Sequence, residues 1–160
     1  MFEAFRVYGF GFEYPKGCVI SFGKKSLRRR GYIVMELAEE LRITVSWGDL
    51  ESKLPQHANT EVHAKHSLSR LNKASDLKEL SLVDTSTVLV NGHQATLTHF
   101  RVRSAYPILA KSRNRETRSL HIHCAESNRF FILEASSRVD SASADGASAF
   151  RRLQETFVCH

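Results

Sequence analysis

Cysteine is scarce and unpatterned in this chain. There are three, Cys18, Cys124 and Cys159, with no Cys-x-x-Cys pair and one left over in any pairing. That excludes a disulfide-dense scaffold and the ligand spacing of a zinc finger. It reads as a reduced, intracellular, cytoplasmic protein whose cysteines act as small buried residues. A Cys124–Cys159 disulfide is conceivable if strand and final helix bring the two together. Long apolar runs are missing too. No stretch approaches the length of a membrane span, and the N-terminus lacks a basic segment followed by an apolar one. Neither a transmembrane helix nor a signal peptide is expected. Also absent are a P-loop, a dinucleotide Gly-x-Gly-x-x-Gly, a Gly-x-Ser-x-Gly elbow, an RNP aromatic pattern and a KH loop. Internal repeats and coiled-coil heptads are equally lacking.

What is present is ordinary for a folded domain. Of 160 residues, 42% are hydrophobic and 25% charged, which fits a single globular domain over 1–160 with a core of its own. The net charge of +6 and a pI near 9.5 permit binding to nucleic acid, anionic lipid or an acidic protein face, without choosing among them.

The run from Thr87 to Ser137 specifies structure most clearly. Val88-Leu89-Val90 leads into Asn91-Gly92, whose residues tolerate the positive φ of a type I′ hairpin turn, and Gln94 to Arg103 continues beyond it. Leu120 to Cys124 alternates apolar and polar residues, and Arg129 to Ala135 is apolar on both faces. The whole run reads as a four-strand antiparallel meander, with Leu77 to Asp84 a further strand leading into it.

Upstream, Phe10, Phe12 and Tyr14 share one face of a strand with Gly9 and Gly11 opposite, a pattern that marks a bend or the close approach of another segment. Pro15-Lys16-Gly17 turns the chain before Cys18 to Phe22. Tyr32 to Leu37 and Arg42 to Trp47 are two more strands. A helix over 58–74 is capped by Asn59 or Thr60 and buries Ala64, Leu68 and Leu71. Its reverse side carries His66, Arg70 and Lys73, with His63 at the margin. A second helix over 145–158 shows Phe150, Leu153 and Phe157 as one stripe. The expected core also includes Val34, Ile43, Val45, Trp47, Val90, Leu97, Ile122, Phe131 and Leu133, around an antiparallel sheet of about six to seven strands.

This order of elements resembles the PsbP-like superfamily. The residues that carry the likeness are Phe12, Tyr14, Pro15 and Gly17, then Val90, Gly92 and Ala95, and the closing stretch from Phe150 to Phe157. Such sequences usually place a tryptophan shortly after the Tyr-Pro turn, where this chain has Cys18. The superfamily includes the photosystem II extrinsic subunit, related bacterial proteins of unknown role and the Ran guanine-nucleotide-release factor. The resemblance implies an α+β architecture, an α/β/α sandwich with a central antiparallel sheet. It also implies a binding or adaptor protein more than an enzyme, and supplies no catalytic residue.

Three constellations carry possible chemistry. His121 and His123 point the same way on one strand, a way of offering two imidazoles to zinc, with His99 or His93 on the adjacent strands as third ligand. The competing expectation, which carries more weight for so short a motif, is that these histidines pack under a helix or line a wet face with little metal bound. A hydrolytic site around His121, His123 and Cys124 is weaker, since no orienting Asn or Asp and no oxyanion hole is visible. Basic residues cluster at Lys24, Lys25, Arg28, Arg29 and Arg30, and again at Arg101, Arg103, Lys111, Arg113, Arg115 and Arg118, the latter expected as an exposed loop. They form a nucleic-acid site only if they converge beside stacking aromatics, for which Tyr32 and Tyr106 are the candidates. The sequence therefore favours a non-enzymatic binding or adaptor domain. The helix face of His66, Arg70 and Lys73 reads first as ordinary solvated surface, and if it docks a partner, an acidic protein surface suits it best.

Overall fold

A computed structural model describes residues 1–38, 40–105, 112–139 and 146–160, and excludes the side chains of 105, 112 and 113. Strands β1 (Phe2–Val7) and β2 (Phe10–Pro15) form a separate hairpin. Strands β3 (Val19–Phe22), β4 (Gly31–Leu37), β5 (Leu41–Asp49), β6 (Leu77–Val90), β7 (His93–Ala105), β8 (Ser112–Cys124) and β9 (Arg129–Arg138) form one seven-stranded sheet in the order β3-β4-β5-β9-β8-β7-β6. Every neighbouring pair is antiparallel. Helix α1 (Thr60–Asn72) covers one face, and helix α2 (Gly146–Thr156) with the β1–β2 hairpin covers the other. The α+β sandwich and the meander β6-β7-β8-β9 are as the sequence implies.

Local chemistry explains the turns. Asn91 and Gly92 have φ of 46° and 84°, the left-handed pair that a type I′ hairpin needs. Gly9, expected within the strand of Phe10, Phe12 and Tyr14, instead forms with Tyr8 a second such turn before β2, with φ of 51° at Tyr8 and 79° at Gly9. Gly11 is where another segment comes close: its N–H and C=O pair with Val158 at 2.9 and 2.8 Å. A Cβ at Gly11 would also stand 2.8 Å from the Phe5 carbonyl oxygen.

Two expectations change in detail. Leu77 to Asp84 is not a separate strand but the first half of β6, carried through register shifts between Leu77 and Glu79 and between Leu82 and Asp84. Phe157 and Val158 leave α2 early, because Val158 is paired with Gly11 rather than continuing the helix.

The core lies on the α2 side. Ile33 and Met35 from β4, Leu41, Ile43, Val45 and Trp47 from β5, Leu120 and Ile122 from β8, and Phe131 and Leu133 from β9 meet Phe10, Phe12, Phe150, Leu153 and Phe157. Each fully buried side chain of this size contributes about 1.5–3 kcal/mol relative to exposure. Cys124 and Cys159 sit in this core joined as a disulfide, with Cα atoms 6.5 Å apart. That corrects the expectation of two independent thiols. The last residues are held across β2, which sets Cys159 against the end of β8.

Candidate functional site

The α1 face of the sheet is built differently. Period-two alternation sends Thr96, Thr98, Phe100 and Val102 of β7, Thr117, Ser119, His121 and His123 of β8, and Phe130, Ile132, Glu134 and Ser136 of β9 to this side. Helix α1 starts at Asn59, whose side chain accepts from the Val62 N–H at 2.9 Å, and it docks by polar contacts as much as apolar ones. The Thr60 and Thr96 hydroxyls lie 2.8 Å apart, and Ser67 Oγ is 3.0 Å from His121 Nε2. Ala64 is buried as expected. Leu68 and Leu71 are only half-buried and form the wall of a cleft instead. His63, read from the sequence as marginal, is buried at 6% exposure.

Burial of His63 assembles a histidine cluster. Its Nδ1 lies 3.2 Å from His123 Nε2, and its ring is 5.2 Å from that of His121 and 5.0 Å from that of His57. His57, from the 3₁₀ turn Pro55–His57, accepts the Glu51 N–H on Nδ1 at 3.1 Å. Phe130 closes the cluster, 4.8 Å from His63 and 5.1 Å from His57, over Gly48, where a Cβ would come within 2.5 Å of it. Burial, then the charge His121 would carry, holds His63 down to about 3. Burial, then His123, holds His121 at about 4. His123 is lowered by burial and then by His57. At neutral pH His63, His121 and His123 are therefore uncharged, since burial and close-set neighbours both disfavour the imidazolium form.

Beside the cluster a cleft of about 510 Å³ opens between α1 and the sheet. Leu68, Leu71, Phe100 and Val102 provide apolar wall, while Thr98, Thr117, Ser119, Ser136 and Glu134 make a polar floor edged by Arg42 and Arg115. Burial raises the Glu134 carboxyl; the nearby Ser119 hydroxyl, too loosely placed for a well-formed hydrogen bond, and Arg42 pull it partly back. Arg115 is itself anchored, donating to the Ser136 backbone oxygen at 2.6 Å and the Ser136 hydroxyl at 2.9 Å.

The geometry corrects several sequence-level groupings. His99 cannot join His121 and His123, because it faces the α2 side and lies 2.6 Å from Glu116, with the sheet between. The third imidazole beside them is His63, from α1. Cys124 likewise points away from His121 and His123, so no cysteine site forms with them. Arg101, Arg103, Arg115 and Arg118 lie on paired strands rather than in a loop. Arg115 belongs to the cleft face and the other three to the opposite face. Lys111 and Tyr106 lie outside the described residues.

Lys24, Lys25, Arg28, Arg29 and Arg30 form the exposed turn between β3 and β4, where Arg29 pairs with Asp49 at 2.9 Å. His66, Arg70 and Lys73 are exposed along the outer side of α1. The sequence reading missed His57, Ser67, Phe130 and Glu134, and left His63 at the margin of the exposed helix face. The spacing of Thr60, His63, Ala64, Ser67 and Leu71, one helical face, was the available signal.

By sequence, no family model matches the chain, and no curated protein does. Solved structures do match by shape. Cyanobacterial PsbP (CyanoP) from Synechocystis sp. PCC 6803 superposes with a TM-score of 0.73 at 14% identity, over 99% of this chain and 92% of that one. The Saccharomyces cerevisiae Ran-binding protein Mog1p gives 0.59 at 13% identity, over 99% and 95%. PA94 from Pseudomonas aeruginosa, a putative regulator of unknown function, gives 0.53 at 14% identity, over 96% and 94%. The chain has the PsbP-like fold.

Proposed function

We propose that this chain is a small non-catalytic adaptor domain that binds an acidic protein surface across the α1 side of its sheet. The observation that supports it is the juxtaposition of an open cleft with a basic helix face. The cleft has a hydrogen-bonding floor, apolar walls and Arg42 at its edge, which suits an inserted partner side chain. His66, Arg70 and Lys73 stand exposed on the same helix, and the chain carries net positive charge. One structural neighbour is a Ran-binding protein, so this fold is one that serves protein binding elsewhere.

Pull-down with the wild-type chain beside a His66→Glu, Arg70→Glu, Lys73→Glu variant tests the reading. A partner retained by the first and lost by the equally folded second is the expected result. Identical partner lists from the two would eliminate this face and move attention to Lys24–Arg30.

A hydrolytic reading has one observation in its favour, the 3.0 Å contact between Ser67 Oγ and His121 Nε2 at the cleft wall. Catalysis of this kind needs a group on the other ring nitrogen to orient the base, and His121 Nδ1 is buried with no partner among the described residues. Ester hydrolysis that disappears in Ser67→Ala would reverse the preference. A nucleic-acid reading is disfavoured by the split of the second basic cluster over two faces. Salt-dependent binding to RNA or DNA would restore it.

A further inference from the structure

We infer that the reduced chain holds a zinc ion between His93, Cys124, Cys159 and His160, a site separate from the α1 face. Among the described residues these four form the only group of three or more potential metal ligands gathered so closely, with every ligand atom within 4.8 Å of the others. Cys159 Sγ lies 3.3 Å from His93 Nε2 and 3.4 Å from His160 Nδ1, and Cys124 Sγ lies 3.7 Å from the same His160 nitrogen. A tetrahedral zinc ion with bonds of about 2.3 Å to sulfur and about 2.0–2.1 Å to nitrogen sets its N···S edges at about 3.5 Å. The N···S separations in the fold already bracket that value. Two thiolates and two imidazoles are the ligand set that favours zinc among the common divalent ions, and two thiolates cancel its charge, so the buried site gains no net charge.

The surroundings hold the ligands in place. Glu126 Oε2 lies 3.6 Å from His93 Nδ1 and 3.7 Å from Cys124 Sγ, within ion-pair reach of the ring nitrogen opposite the Nε2 that faces the Cys159 sulfur. Metal-bound histidines commonly have this outer partner. The chain carrying Cys159 is fixed by the Gly11–Val158 pairing, by Asn91 Nδ2 donating to the Phe157 carbonyl, and by Arg129 Nη2 donating to the Cys159 carbonyl at 3.5 Å. Cys124 and Cys159 are almost fully buried, whereas His160 is exposed, which leaves a path for the ion.

Disulfide and metal exclude one another at this site. A dithiol reductant breaks the Cys124–Cys159 S–S bond, yielding two thiols and its own disulfide. Zinc then displaces the two thiol protons, and the sulfurs separate to about 3.8 Å as edges of the tetrahedron. A reducing compartment therefore selects the zinc form and an oxidising one the disulfide, with the C-terminal segment stapled to β8 either way.

The test uses the full chain, reduced with a dithiol, stripped by a chelator and then titrated with zinc alone or cobalt alone. One ion per chain is expected, with a thiolate-to-cobalt absorption band, and oxidation by oxidised glutathione should release it. A His93→Ala, His160→Ala variant, altered at two positions outside the tight core, should bind at least about a hundredfold more weakly. Glu126→Gln should weaken binding by about ten- to a hundredfold. A His121→Ala, His123→Ala variant should bind as the wild type does. Failure of the reduced wild type to take up one ion would overturn the site, as would undiminished binding by the folded His93→Ala, His160→Ala variant. Zinc binding lost specifically in the His121→Ala, His123→Ala variant would place the ion in the other cluster and overturn it too.

Discussion

The two faces of the sheet are made by the same strands and yet have opposite chemistry. On the α2 side, Leu120, Ile122, Phe131 and Leu133 meet Phe150, Leu153 and Phe157, all almost fully buried. On the α1 side the alternate residues of those strands are Ser119, His121, His123, Ile132 and Glu134, and the covering helix brings Thr60, His63 and Ser67. The first face can hold the domain together by apolar burial alone. The second needs its polar groups matched one by one, and where α1 does not reach, it leaves a cleft. The difference separates a stabilising layer from one with room for recognition.

The sharpest way to break this contrast is truncation on each side. Leu153→Ala should cost about 2–5 kcal/mol in denaturant unfolding, since Leu153 is fully buried and leaves a cavity. Leu71→Ala, half-buried at the cleft, should cost about 1 kcal/mol. Equal costs would mean that the α1 face is as tightly packed as the other.

Next in size is the covalent link within the α2 side. Reducing the Cys124–Cys159 disulfide in the presence of a chelator should lower stability by about 2–4 kcal/mol, the value for a loop of this length, 35 residues. Added zinc should restore part of it. No change on reduction would show that the C-terminal segment holds by packing alone.

On the α1 side the corresponding signature is acid sensitivity. The unfolded chain protonates His63 near its ordinary 6.5, whereas the folded chain does so only at about 3. Between those values the unfolded state binds more protons, so stability falls as pH drops from 6.5 toward 3. His121, lowered to about 4, adds in the same direction. His63→Gln should flatten that dependence, read from denaturant midpoints across the window, and an unchanged slope would remove His63 from the account. Glu134 has the opposite sign. Its raised carboxyl contributes stability below its ordinary range that is lost as pH rises through the folded value. Glu134→Gln should therefore be more stable than wild type at neutral pH.

Two smaller effects complete the set. Asn59→Ala, which removes the α1 cap, should cost about 1 kcal/mol in thermal or denaturant unfolding. The exposed His66→Glu, Arg70→Glu, Lys73→Glu substitutions should each stay within about 0.5 kcal/mol, so any loss of binding would not be a loss of fold.

The sandwich was implied by a resemblance of the whole chain, whereas the sequence by itself determined the antiparallel meander, the Asn91-Gly92 turn, and the stripe of Phe150, Leu153 and Phe157. These follow from period-two and helical spacing and from φ preferences, all of which are local. It also placed His121 and His123 on one side of a strand. What they face was not local. His63 enters only once α1 is laid across β7 and β8, and His99 leaves because its position in β7 has the other parity. Cys124 and Cys159, 35 residues apart, meet because Val158 pairs with Gly11 near the far end of the chain. Strand periodicity says which residues share a face, but only the packed neighbours say which of those faces meet. Both candidate sites are built from such meetings.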